Sequence, residues 1–246
     1  MDLAWEECGC NHSLGEKELM RFYSHPVWLL NGLFIEQHQE SLGHRHSFTS
    51  FVAQLEPKRV ADFGGGFGAL ARMLGTRCGQ IKVEVIEPHP HPLAIELAKE
   101  TANVRYVAEL NGEYDVIMAT DVFEHVRDPI ALVEKTSQHL VLGGHYLMAN
   151  CFLPVIRCHL PENYHWHWSW PLAMQQMNLQ PGPVVAYGRI YQKVGPVAAA
   201  AARLVEQRSR KWCRRIENLP KLIQVLLARP LVWGIERCLT SKGNER

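Results

Sequence analysis

The sequence has no apolar run long enough to cross a bilayer. The longest candidate, around residues 222–235, is broken by Arg229 and Pro230, whereas a spanning helix needs about 20 consecutive apolar residues. Met1 leads into Asp2, Glu6 and Glu7 without the apolar stretch of a secretory signal, so none is expected. The seven cysteines, at 8, 10, 78, 151, 158, 213 and 238, form no even framework. That argues against a disulfide scaffold and for a reducing, cytoplasmic setting. No internal repeat or low-complexity linker is present, which excludes solenoids and arrays. Charged residues are only 21% and the net charge is +1. The charge is unevenly spread: residues 200–246 carry eleven Lys or Arg against four Asp or Glu, an excess of seven that leaves the first 199 residues at −6. A body of that sign lacks the positive footprint of a nucleic-acid site, so no nucleic-acid partner is expected. The basic tail reads as a solvated helix face, with RNA, anionic lipid or an acidic partner as alternatives.

What is present is a core. The 246 residues are 47% hydrophobic, enough for one α/β domain with additions. Residues 1–16 read as irregular. ELMRFYSHPVWLLNGLF, from Glu18 to Phe34, reads as helix broken before Pro26; SLGHRH then leads to a second apolar segment, SFTSFVAQL. From Arg59 short apolar runs alternate with helical patterns: RVADF, KVEVIE, NVRYV, YDVIMA and HYLMAN as strands, ALARML and HPLAIELAKE as helices. That rhythm predicts βαβ units and a parallel sheet. Asp128-Pro129 has the form of an N-cap with proline in the first turn, opening a helix through His139 that Gly143-Gly144 stops. After an irregular stretch over 151–170, a helix is expected from Pro171 to Met177. PVVAYGRIYQKV then suggests two strands meeting near Gly188 as an antiparallel edge. Helices are expected over 197–217, 220–229 and 231–239.

The strongest local feature is the run from Val60 to Gly68, VADFGGGFG. Consecutive glycines allow positive φ and let backbone amides approach a ligand. Asp62, at the strand end, can accept from loop amides or from a cationic amino group. Glu87 closes the next strand, where an acid can accept the ribose hydroxyls of an adenosine cofactor. That geometry suits a nicotinamide dinucleotide and S-adenosylmethionine alike. A dinucleotide usually asks for G-x-G-x-x-G; Gly64 and Gly66 fit, but residue 69 is Ala, so the dinucleotide stays as the weaker alternative.

DFGGGFG resembles the D-x-G-x-G-x-G motif of class I S-adenosylmethionine-dependent methyltransferases, matching at Asp62, Gly64, Gly66 and Gly68. Gly65 stands where many members have Cys or another small residue. ATDVFEHVRDP, residues 119–129, resembles the segment after the fourth strand in the small-molecule group that includes ubiquinone-biosynthesis O-methyltransferases. The resemblance covers residues 57–150 well, and 151–194 less so. It implies a Rossmann-like fold with a mostly parallel seven-stranded sheet, a helical N-terminal cap over 1–56, a cofactor-binding core over 57–195 with a substrate loop at 151–170, and a basic C-terminal helical extension over 196–246. It implies that Asp62 and Gly64, Gly65, Gly66 and Gly68 cradle the methionine part of the cofactor and that Glu87 holds the ribose. Pro88 and His89 would border the adenine, Glu109 would lie near its amino group, and Thr120, Asp121 and Val122 would line the cofactor. Because only residues 108–113 separate the third and fourth strands, the usual helix there is expected to be absent or reduced to a turn.

Transfer to a hydroxyl or protonated amine needs a base, and histidine titrates in the right range. His125 follows the fourth strand directly. His165 and His167 alternate with Trp166, Trp168 and Trp170; if that segment is extended, the rings part onto two faces. These three histidines are the candidate bases, each with a bland reading as packing or helix capping. Tyr23 and His25 enter the pocket if the N-terminal helices form its lid. Neither Cys8, Cys10 and His12 nor the Cys158, His159 and Glu162 group has spacing that demands zinc, and no metal is assigned. The expected activity is methylation of a small molecule at a hydroxyl or amine, with S-adenosylhomocysteine as product. The alternatives are an RNA or protein methyltransferase, although the N-P-P-Y type tetrapeptide is absent, and a cofactor-binding partner without turnover. Two apolar helices near the C-terminus, KLIQVLLA and LVWGIERCL, are candidates for homodimer or peripheral membrane contact.

Overall fold

The structure, a computed structural model, describes residues 1–217. The helices expected over 220–229 and 231–239, with their expected dimer or membrane contact, lie outside the described residues. Among the described residues no helix is long and apolar enough to cross a membrane.

Seven strands form one sheet: β1 (Arg59–Phe63), β2 (Lys82–Ile86), β3 (Val104–Val107), β4 (Tyr114–Thr120), β5 (Leu140–Ala149), β6 (Leu179–Val185) and β7 (Gly188–Lys193), in the order β3-β2-β1-β4-β5-β7-β6. Strands β1 to β5 pair in parallel. β7 runs antiparallel to both β5 and β6, so the sheet is mixed, with the hairpin at the expected place. β6 carries Pro181 and Pro183, tolerable because it is the edge strand. The chain builds outward from β1 to β3, then returns to lay β4 on the other side of β1. Open α/β sheets bind ligands at such a reversal, beyond the carboxyl ends of the strands.

Both sheet faces are covered, which is why the central strands read as nearly continuous apolar runs. Val60, Val116, Met118 and Leu147 point to one side, against Phe48 of α4 (Gln39–Gln54), Leu70 of α5 (Ala69–Arg77) and Ala98 of α6 (Pro92–Lys99). Ala61, Ile117, Ala119 and Tyr146 point to the other. They meet Ile130 of α7 (Pro129–Ser137), Ala173 of α8 (Trp166–Gln176) and Ala202 of α9 (Ala199–Glu217). The Asp128 cap is as expected: its Oδ1 accepts from Ala131 N–H at 2.9 Å. A third cluster joins the N-terminal helices α1 (Asp2–Glu7), α2 (Glu16–Tyr23) and α3 (Val27–Ile35) to the post-β5 loop, through Trp5, Cys8, Cys10, Phe22, Cys158 and Leu160.

Four local expectations change. Residues 2–7 are helical rather than irregular, because burial of Ala4 and Trp5 in the third cluster holds a short turn that propensity alone would not. Gly43 lies inside α4 instead of preceding it. Gly143-Gly144 does not stop α7, which ends at Ser137; the pair sits inside β5, where the register jumps between Tyr114↔Leu140 and Val116↔His145 and Gly143 takes φ +81. Glycine there serves a strand irregularity rather than a helix end. Residues 166–176 are helix, not an extended segment followed by a helix from Pro171. Trp166 and Trp170, one turn apart, are buried with ring centroids 5.5 Å apart, while Trp168 is 52% exposed. Burying two indoles of ~150–250 Å² is worth about 8–12 kcal/mol, more than the ~3 kcal/mol cost of a proline inside a helix.

Candidate functional site

The glycine run turns sharply off the end of β1. Gly64, Gly66 and Gly68 take φ of +68, +52 and +73, values L side chains rarely adopt. At Gly64 and Gly65 close neighbours also leave no room for a side chain. A Cβ on Gly64 would lie 2.6 Å from Val122 Cγ2, and one on Gly65 would lie 2.7 Å from Asp62 Oδ2 and 2.8 Å from Val85 Cγ1. A Cβ on Gly66 would meet nothing within 4 Å, because that backbone faces open space. Gly64, Gly65 and Gly66 border the cleft, while Gly68 caps α5 and its N–H reaches Gly65 O at 2.8 Å.

Asp62 is 1% exposed, and neither of its carboxylate oxygens has a hydrogen-bond partner. Burial raises its pKa to about 7, with the Arg45 charge and the Ala71 backbone N–H opposing the rise. A bare buried carboxylate is costly, and here it borders the cleft beside the loop. Glu87, just past β2, is instead engaged: Oε2 accepts from Gly66 N–H at 3.0 Å and Oε1 from His89 N–H at 3.2 Å. One Glu87 oxygen therefore sits at the glycine loop and the other on the turn that follows β2. Asp62 and the loop fit the aminoacid end of an adenosyl cofactor, with an unpaired carboxylate for its ammonium group and a glycine cradle that a Cβ would fill.

The cleft has a volume of about 1220 Å³. Pro88, His89, Glu109, Thr120, Asp121 and Val122 line it. No helix forms between β3 and β4, where Gly112 makes the turn with φ +72. Tyr23, His25 and Trp28 of the N-terminal helices close the other side. Gly32 of α3 lies so close to Phe67 that a Cβ would sit 2.6 Å from its ring, and Arg72 pairs with Glu36. The end of α3 is thereby pinned directly onto the glycine-loop region.

The three candidate bases are placed differently. His125 lines the cleft, half-buried, and desolvation lowers its pKa to about 4; its Nδ1 lies 3.0 Å from Cys158 O. His165 and His167 do not line the cleft. His165 sits at the start of α8 beneath α9, where its carbonyl accepts from Ser209 Oγ at 2.8 Å, and burial lowers its pKa to about 4. The alternating faces that recommended these two rings depended on an extended backbone, and the helix removes them.

Sequence reasoning passed over three residues of the site, Tyr187, His44 and Arg45, and weighed His159 only within a group of potential metal ligands. Tyr187 O–H donates to Asp121 Oδ2 at 2.8 Å, and His44 packs on the Tyr187 ring at 4.9 Å. Arg45 supplies positive charge to both Asp62 and Asp121. His159 faces His125, with ring centroids 4.9 Å apart. None of these carries a motif signal; α4, the β6–β7 turn and the post-β5 loop meet only in three dimensions.

A family model described as a methyltransferase domain matches residues 34–183. The ubiquinone biosynthesis O-methyltransferase of Vibrio cholerae is 27% identical over 156 residues, covering 59% of this chain and 64% of the relative. The enzyme of the same name from Escherichia coli O157:H7 is 26% identical over 151 residues, covering 56% and 62%. The chain thus spans less than two thirds of the length of these curated relatives. Among solved structures, the 1,6-didemethyltoxoflavin-N1-methyltransferase of Burkholderia thailandensis, with bound 1,6-didemethyltoxoflavin and S-adenosylhomocysteine, matches at a TM-score of 0.47 and 17% identity, covering 62% of this chain and 78% of that one.

Proposed function

The chain belongs to the methyltransferase-domain family, and from that premise we propose that it transfers the methyl group of S-adenosylmethionine to a hydroxyl or amine of a small molecule. S-Adenosylhomocysteine is the product. The observation that carries this reading is Asp62, a buried carboxylate with two unpartnered oxygens at the mouth of a glycine loop. The methionine ammonium group supplies the missing donors as charge-assisted hydrogen bonds, and Glu87 takes the ribose hydroxyls. A cleft of about 1220 Å³ exceeds the ~300–1,000 Å³ typical of a single small ligand, so cofactor and acceptor fit together. The helical cover favours an enclosed small acceptor, and relatives named for ubiquinone biosynthesis support the same class.

When bound, the cofactor supplies an electrophilic methyl carbon. The chain's residues hold the acceptor in line with it and exclude water, which accounts for much of the acceleration in such displacements. His125 is the candidate base that reaches the cleft. With its pKa lowered to about 4, it is too weakly basic to ionise a hydroxyl efficiently on its own.

Calorimetry with S-adenosylhomocysteine, and NAD as matched control, tests the assignment. The expected result is saturable binding of S-adenosylhomocysteine alone. Glu87→Ala should weaken it by roughly 10- to 100-fold, since a hydrogen bond to a charged group is worth about 1.5–3 kcal/mol. Folded protein that binds NAD instead, or neither ligand, overturns the reading.

A further inference from the structure

Beside the cofactor loop lies a cluster that the transfer reaction as described does not use. Glu124 and His125 follow β4 on a single helical turn, and His159 lies on the loop after β5. One ligand atom from each falls within 4.8 Å of the others. From these three side chains we propose that the chain binds one divalent metal ion, of the zinc type, through Glu124, His125 and His159.

Hydrogen bonding around the cluster prepares each ligand. His125 Nδ1 lies 3.0 Å from Cys158 O, and His159 Nδ1 lies 2.7 Å from Leu153 O. A carbonyl oxygen only accepts, so both rings carry their proton on Nδ1. That fixes the tautomer and leaves a lone pair on each Nε2, the arrangement metal-binding histidines have when the far nitrogen donates to a carbonyl. Glu124 divides its two oxygens in the same way. Oε1 accepts from Cys151 N–H at 2.7 Å, while Oε2 is buried with no partner. Glu124 is 0% exposed, so the bare oxygen has no water to turn to.

Charge points the same way. Among the described residues Glu124 Oε2 has no hydrogen-bond partner, and the nearby Asp121 carboxylate adds a second negative charge. A divalent ion offsets both. The two loops are also held to each other, as a site on loops must be. Leu160 N–H donates to Glu124 O at 2.9 Å, and Asn163 Nδ2 donates to Val126 O at 2.7 Å. In a tetrahedral site with bonds of ~2.0–2.1 Å the ligand atoms stand about 3.3 Å apart, so small side-chain rotations complete it. Two imidazoles and a carboxylate are a known catalytic zinc donor set that keeps a coordination position open.

His125 and His159 both line the cleft, so an open coordination position would be reached from it. The consequence for the acceptor rests on the methyl-transfer reading above; the metal site itself does not. A hydroxyl oxygen bound to the ion is acidified. Its proton leaves to solvent. The oxygen then forms a bond to the methyl carbon as the carbon–sulfur bond breaks, with that electron pair staying on sulfur. This supplies the ionisation that His125 alone provides poorly, and it selects a hydroxyl over an amine.

The test is titration of metal-stripped full-length protein with Co²⁺, read by visible d–d absorption, and with Zn²⁺, read by calorimetry. One equivalent should bind, with a spectrum of nitrogen and oxygen ligation. His159→Ala, and separately the near-isosteric Glu124→Gln, should each weaken binding at least tenfold, while Cys10→Ser leaves it unchanged. S-Adenosylhomocysteine affinity, measured on every variant, reports the fold and the cofactor site independently. No stoichiometric binding by protein that still binds S-adenosylhomocysteine overturns the metal site alone. Binding that survives both ligand variants, or shows sulfur-to-metal charge transfer and disappears in Cys10→Ser, assigns the ion to the cysteines and also overturns it.

Discussion

Asp62→Asn should stabilise the ligand-free protein while weakening cofactor binding, an opposition that a merely structural aspartate would not produce. The native carboxylate is buried with no donor at hydrogen-bond distance, and its pKa is raised from 3.8 to about 7. A pKa raised in the folded state means that protonated Asp62 is tolerated and ionised Asp62 is penalised. The favourable contribution is complete below the unfolded value near 3.8 and is lost as pH rises through about 7. About three units at 1.36 kcal/mol each set an upper bound near 4 kcal/mol for the penalty at pH 8. Asparagine cannot ionise, so the variant escapes that penalty. At ~2–4 °C per kcal/mol for a chain of this size, its melting temperature at pH 8 should exceed the wild type's by several degrees. The advantage should shrink to under about 2 kcal/mol at pH 5, which lies about one unit above the unfolded value. Calorimetric affinity for S-adenosylhomocysteine should fall by roughly 10- to 100-fold, the ~1.5–3 kcal/mol of a charge-assisted hydrogen bond. Melting curves at the two pH values, paired with binding isotherms, are sufficient. A variant less stable than wild type at pH 8, or one with unaltered affinity, would refute the reasoning.

Three further perturbations follow from the packing. Gly65→Ala places a Cβ 2.7 Å from Asp62 Oδ2 and 2.8 Å from Val85 Cγ1, so urea unfolding should show a loss of about 1–3 kcal/mol. Glu84 is buried, which by itself would raise its pKa, but hydrogen bonds from Tyr114, Arg105, Arg59 and Lys82 hold it at about 2. Its stabilisation, up to about 3 kcal/mol from the pKa difference, is present above pH 4.5 and lost as pH falls towards 2. Urea midpoints between those limits should drop steeply in wild type, and Glu84→Gln should be less stable at neutral pH with a flatter acid limb. Trp166→Ala should cost about 3–5 kcal/mol and Trp168→Ala within about 0.5 kcal/mol, because the first is fully buried and the second 52% exposed. Equal losses in a denaturation experiment would contradict the helix.

The sequence alone determined whatever depends on neighbouring residues. Buried β-strands between helical patterns placed β1 to β5, and the spacing of Asp62, the glycines and Glu87 marked one end of the cleft, because a turn with positive φ and an acid at a strand end are local requirements. Asp128-Pro129 announced α7 for the same reason. The local signals misled where a residue type serves two geometries. Gly143-Gly144 suits a helix stop as well as a strand irregularity, and only pairing with β4 chose between them. The alternation of Trp and His over 165–170 suits a strand, yet burial of Trp166 against Trp170 made it a helix and carried His165 and His167 away from the cleft. Tertiary structure alone brought Tyr187 to Asp121 across 66 positions of chain and His159 to His125 across 34. The loops beyond β4 and β5 become neighbours because the sheet aligns their strands, and no spacing along the chain encodes which of thirteen histidines that alignment will pair.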